Sequence, residues 1–172
     1  MKKILLLSDT HNFLDEPILR YAAEADEIWH AGDIGNLEIV DKLSSLAVLK
    51  AVYGNADDHQ IRLEYPLEQE FVTEGLKVYM IHIGGYPGRY TAGVKSKLVQ
   101  SKPGLFICGH SHILKIVRDP ELGILHINPG AAGIHGFHQV RTMVRLQINN
   151  GKILQPEVIE LGGKNRSAQA VS

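Results

Sequence analysis

Five apolar runs of this chain each stop at a short group drawn from the same few side chains. The groups are Asp9-Thr10-His11, Gly32-Asp33, Gly54-Asn55, His82 and Gly109-His110-Ser111-His112. Carboxylate, amide and imidazole, with no thiolate, make a mixed oxygen and nitrogen donor set. Such a set suits manganese, iron, zinc, nickel or cobalt better than calcium or an iron–sulfur cluster. Each group alone is weak, because Gly-Asp and Gly-Asn are common turns and a lone histidine is usually structural. Their repetition after successive strands carries the argument. Asp9, His11, Asp33, Asn55, His82, His110 and His112 are too many for one ion but suit two, provided one carboxylate bridges them. Asp33, in the middle of the order, is the natural bridge, and Asn55 would bind through its uncharged carbonyl oxygen. Two ions about 3.5–4 Å apart could share a hydroxide, lower its pKa and clamp an in-line phosphoryl displacement. In "FICGHSH", Phe106 to His112, the two imidazoles could serve one ion, two ions or none.

The elements that must position these groups follow from hydrophobic periodicity. Lys2–Leu7 reads as a buried strand, and Asp15-Glu16-Pro17 as a helix start continued by Ile18–Ala25. Glu27–His30 is a short strand. Asn36 caps a second helix whose apolar face is Leu37, Val40, Leu43 and Leu46. Ala47–Tyr53 is a third strand, and the alternation to this point predicts parallel βαβ units. The second half changes character. Glu70–Thr73 pairs with Lys77–His82 across Glu74-Gly75, a glycine-rich loop spans Gly84–Gly93, and a helix covers Val94–Gln100. Leu105–Cys108 is a strand, Ile113–Arg118 pairs with Ile124–Asn128, and Val140–Ile148 pairs with Lys152–Glu160 across an Asn-Gly turn. Two packed sheets flanked by helices are expected, with sites in the loops beyond the carboxyl ends of parallel strands.

Composition bounds the function classes. The 172 residues suit a single domain, expected over residues 1–162, with a flexible tail at 163–172. The formal charge of −1 gives no basic bias towards an extended nucleic-acid surface. Cys108 is the lone cysteine, so a reducing, cytoplasmic setting is expected. The apolar run after Lys2-Lys3 is too short for a signal sequence or a membrane span.

The order DxH, GD, GN, H, GHxH resembles the calcineurin-like metallophosphoesterase superfamily. The "SDTH" opening, "GHSH" and "NPGAAG" resemble its small bacterial phosphodiesterase branch. The resemblance spans roughly Met1 to Leu146. It implies a four-layer α/β/β/α sandwich, with two mixed sheets flanked by helices, and a dinuclear site hydrolysing phosphate esters. Carried over by position, Asp9, His11, Asp33 and His112 would hold one ion, and Asp33, Asn55, His82 and His110 the other. Turnover should then depend on Asp33, Asn55 and His110. Manganese is the expected metal, with nickel, zinc, iron or cobalt as alternatives. A small phosphodiester is the expected substrate, and a homodimer is the base-rate expectation.

The chain departs from the pattern at two points. Many family members place a histidine after Gly-Asn, where this chain has Ala56 and then Asp57, which is expected to bind substrate. The general acid is thereby unassigned; His59 is a candidate, its plainer reading being a surface histidine. The usual second histidine after His82 is also missing. In the loop that follows, Arg89 could bind a phosphate oxygen and Tyr86 or Tyr90 could stack on a base or an aromatic ester, or the loop is plain surface. Cys108, Trp29 and Phe71 read as core and His30 as support for the Asp33 loop, while Asn128-Pro129-Gly130 resembles a family turn near the site that orients a ligand. His126, His135 and His138 have no motif support, although the last two could line the pocket. A protein-binding scaffold of this fold is the competing class. A phosphomonoesterase or cyclic-nucleotide phosphodiesterase is the enzymatic alternative.

Overall fold

Strand β1 (Lys2–Leu7) reads as continuously apolar because it is covered twice. Leu5 and Leu7 enter one cluster with Ile18 and Ala22 of helix α1 (Glu16–Ala23) and Ile39 and Leu43 of helix α2 (Leu37–Ser44). Ile4 and Leu6, on the opposite face of the pleat, enter a second cluster with Val78, Met80, Leu105 and Ile107. The computed structural model describes residues 1–164. Both helices start as the sequence predicts, the side chains of Asp15 and Asn36 accepting from the amides of Ile18 and Ile39.

β1 runs parallel to β2 (Glu27–His30), which runs parallel to β3 (Val48–Ala51). The long β11 (Val140–Asn149) lies antiparallel on the other edge of β1. β12 (Lys152–Ile153) and β13 (Glu157–Gly163) pair in turn with β11. The second sheet has the order β4 (Glu68–Thr73), β5 (Leu76–Ile81), β8 (Leu105–Ile107), β10 (Leu125–Pro129), β9 (Leu114–Arg118). Its three inner strands are parallel and its two edges antiparallel. Val94 and Leu98 of helix α4 (Val94–Ser101) cover its outer face against Tyr79, Phe106 and Ile124. The layers are helix, sheet, sheet, helix, as the resemblance implies.

Four local readings change. The stretch after Asp58 is a short helix, α3 (His59–Glu64), capped by the Asp58 side chain and anchored by buried Ile61. The loop Gly84–Gly93 contains a small hairpin, β6 (Gly85–Tyr86) with β7 (Arg89–Tyr90). The strand expected over Lys152–Glu160 is broken at residues 154–156, where Pro156 has no N–H to donate. Gly163 belongs to β13, not to a tail, and from residue 165 the expected tail lies outside the described residues. Among the described residues, no helix is long and apolar enough to cross a membrane.

Candidate metal centre

All five donor groups follow the carboxyl ends of parallel strands, β1, β2 and β3 in one sheet and β5 and β8 in the other. Backbone bonds weld these loops together: the amide of Asp9 donates to Gly32, that of His11 to Asp33, and that of Gly109 to His82. Two donor groups result, Asp9 with His11 and His112, and Asp33 with His82 and His110. Asp33 links them. Its Oδ2 lies 3.2 Å from Nε2 of His82 and 3.6 Å from Nε2 of His11. Asp9 Oδ1 stands 3.1 Å from His112 Nε2 and 3.8 Å from His11 Nε2. Each carboxylate uses its other oxygen to fix itself. Asp9 Oδ2 accepts from Ser8 Oγ and the His110 amide, and Asp33 Oδ1 accepts from the Ala56 amide.

Hydrogen bonding sets which imidazole nitrogens are free. Nδ1 of His82 lies 2.7 Å from the Ala31 carbonyl, so it carries the proton and leaves the Nε2 lone pair facing Asp33. His112 is set in two steps. His138 donates from Nε2 to the Gly133 carbonyl at 2.9 Å, so its Nδ1 is an acceptor; His112 Nδ1 donates to it at 3.2 Å. The Nε2 lone pair of His112 therefore faces Asp9 Oδ1. Bare nitrogens pointed at carboxylate oxygens repel unless positive charge lies between them. Nε2 of His11 and of His82, buried without hydrogen-bond partners, point to the same requirement. Burial alone would lower the proton affinity of His82, yet Asp33 and Asp9 raise it. Burial would raise Asp33, but the His82 contact and the Ala56 amide hold its carboxyl at about 2. The donor set fits divalent transition ions, and its chemistry is that of a cation site.

Donor placement is written into the backbone. Asp9, His11, Asp33, His110 and His112 all have left-handed φ, from 45° to 69°. Residues other than glycine adopt this region at a cost of about 1–3 kcal/mol each, and such strain gathers at functional sites. The glycines before the donor residues have a steric reason. A Cβ at Gly54 would lie 2.1 Å from Asp33 Oδ1, and one at Gly109 2.1 Å from Ser8 Oγ and 2.9 Å from Asp9 Oδ2. Asn128 holds the Gly109–His112 loop, donating to the Gly109 carbonyl and to Ser111 Oγ. His30, pushed down to about 3 by burial, is neutral and accepts from the Gly32 amide, supporting the Asp33 loop as expected.

An open cleft of about 540 Å³ lies over these groups and exposes His11, Asp33, Asn55, Ala56, His110 and His112. The residues expected at the substrate fall elsewhere. Asp57 is buried, and its two carboxylate oxygens accept from the amides of Gly35 and Gly54, so it braces two ligand loops. Tyr90 packs on Phe106 and donates its hydroxyl to Asp119. Arg89, exposed on β7, does not line the cleft, nor does His59 at the start of α3. His135 and His138, which no motif marks, do line it. The His135 ring lies 4.8 Å from that of His11. The sequence offered them only as residues that could line the pocket, without motif support.

The model of the calcineurin-like phosphoesterase superfamily domain matches residues 1–151. A probable metallophosphoesterase of Methanothermobacter thermautotrophicus is 30% identical over 162 residues, covering 91% of each chain. Vps29 of Chaetomium thermophilum superposes with a TM-score of 0.72 at 16% identity, over 95% of this chain and 100% of that one. The structure of an archaeal phosphodiesterase gives 0.68 at 22% identity, over 92% and 99%. At these identities the two structures share the fold. Family match and relative together establish that the chain belongs to the calcineurin-like phosphoesterase superfamily.

Proposed function

We propose that this protein is a phosphodiesterase dependent on two divalent transition-metal ions. The observation that carries the reading is the pair of donor groups joined through Asp33 Oδ2. Asp9, His11, Asp33 and His112 would hold one ion, and Asp33, Asn55, His82 and His110 the other. Bound there, the ions supply positive charge against the phosphoryl oxygens and an acidified water as nucleophile. The chain's own residues do the rest. Asp33 fixes the spacing between the two groups, and Asn55 adds an oxygen without adding charge. His110, the most exposed of the ligand histidines, stands at the mouth of the cleft where a phosphate would enter. The lack of a side chain able to donate a proton at Ala56 favours esters whose leaving group needs none, hence activated diesters over alkyl monoesters.

Metal analysis of the purified protein and hydrolysis of bis(p-nitrophenyl) phosphate test the reading. Asp33→Asn and His110→Ala should each reduce turnover by about a thousandfold or more, with an unchanged circular dichroism spectrum. Manganese is the expected activator, with nickel, zinc, iron and cobalt as the comparison. Protein that stays inactive with all of them would favour a scaffold role on the fold it shares with Vps29. Faster cleavage of p-nitrophenyl phosphate than of the diester would make it a monoesterase.

A further inference from the structure

His135 stands exposed in the open cleft but takes no part in either donor group. The other imidazoles of the cleft are engaged. His11, His110 and His112 belong to the donor groups, and His138 has both ring nitrogens bonded, to His112 and to the Gly133 carbonyl. Among the described residues, the His135 ring touches the His11 ring and is held by no hydrogen bond. The loop that carries it is pressed against the donor layer on both sides. The Gly133 amide donates to the Asp9 carbonyl at 3.1 Å, and a Cβ at Gly133 would lie 2.4 Å from the Thr10 carbonyl oxygen. Gly136, at φ 116°, packs so closely that a Cβ there would lie 2.3 Å from His112 Nδ1. The two glycines seat the loop on the donor residues and leave His135, between them, over the cleft.

We propose that His135 binds the substrate phosphate, donating a hydrogen bond from its ring to a non-bridging phosphoryl oxygen. The inference rests on the phosphodiesterase reading and adds a substrate-binding residue to it. Phosphate oxygens call for charged or strong donors. Among the described residues no lysine or arginine lines the cleft, and Ala56 offers only a methyl group. His135 is the imidazole left free to donate. An imidazole carries at least one N–H whether or not it is protonated, so the contact needs no change of charge. Nor is His135 a further ligand, since its nitrogens do not share the cluster of Asp9, His11 and His112.

The test is a calorimetric titration of inorganic phosphate into manganese-loaded protein freed of excess metal, with metal content measured in parallel. The position is exposed, so substitution leaves the fold intact. His135→Ala should weaken phosphate binding about tenfold and keep both ions. His135→Gln, whose amide still donates, should recover part of the loss. In hydrolysis, kcat/KM of His135→Ala should fall by the same factor for bis(p-nitrophenyl) phosphate and for diphenyl phosphate, because the contact is to the phosphoryl group and not to the leaving oxygen. Unchanged phosphate affinity, loss of an ion, or a fall confined to diphenyl phosphate would each overturn the inference. Phosphate binding needs no turnover, so the two readings fail separately. Phosphate held through His135 by a protein that cleaves no diester removes the phosphodiesterase reading alone. Unchanged phosphate affinity in a protein that cleaves diesters removes the role of His135 alone.

Discussion

His138 touches no carboxylate of the site, yet it decides which nitrogen of His112 is free. Its Nε2 is committed to the Gly133 carbonyl, so its Nδ1 can only accept, and the proton on His112 is forced to Nδ1. Outer partners of this kind typically contribute 10–100-fold to metal affinity. His138→Phe keeps a ring of similar shape and removes both hydrogen bonds. Calorimetric titration with zinc should show one of two sites weakened by about 10–100-fold, and His138→Gln should restore part of the loss; two unchanged sites would contradict this tautomer argument. The donor groups stand out in the sequence because each lies at or just beyond the end of an apolar run. His138 does not, because its partner lies 26 residues away along the chain. The placements of Asp57 and Tyr90 were hidden for the same reason. Their polar groups meet the Gly35 amide and the Asp119 carboxylate, and nothing local in the sequence announces either meeting.

At the scale of elements, the loops that hold the donors depend on a pair the sequence did not reveal. Arg141, in β11, is 1% exposed and donates through both terminal nitrogens to Asp15 Oδ2 at 2.8 Å. Its Nε donates to the Ala132 carbonyl, and its guanidinium lies over the Phe13 ring. One side chain thus joins the start of α1, the loop following Asn128-Pro129-Gly130, and the first sheet. Removing one member of a buried ion pair strands the other charge and typically destabilises by about 3–5 kcal/mol. Arg141→Met should lose about that much in urea denaturation. Adding Asp15→Asn should recover a good part, because asparagine still caps α1 and no charge remains to be stranded. The long strands and two caps were readable from periodicity and Asp/Asn placement. The short helix α3 was not: six residues give too little periodicity, and only Ile61 is buried.

For the molecule as a whole, the parallel strands place opposite demands on their two ends. Their carboxyl ends gather the histidines and carboxylates of the candidate centre. At the other end of β2, Glu27 is 3% exposed between the sheets, accepting from Lys2 and Lys50 at 2.5 Å and from Trp29 Nε1 at 2.9 Å. Burial alone would raise its carboxyl, but the hydrogen bonds from Lys2, Lys50 and Trp29 outweigh it and lower the group from 4.5 to about 2. A carboxylate held below its unfolded value stabilises the fold fully above that value. The contribution is lost as pH falls from about 4.5 through about 2. Lys2 and Lys50 are partly exposed, which reduces the contribution to about 2–3 kcal/mol at neutral pH. Glu27→Gln should therefore lower the melting temperature by several degrees at pH 7 and leave it close to that of the wild type near pH 2. Thermal melts of both proteins across that range decide the matter; a difference that persisted undiminished at pH 2 would assign the effect to packing instead of charge. Activity offers an independent reading of the same geometry. The lysine-paired end lies away from the donor groups, so Glu27→Gln should leave metal affinity unchanged at temperatures where both proteins are folded.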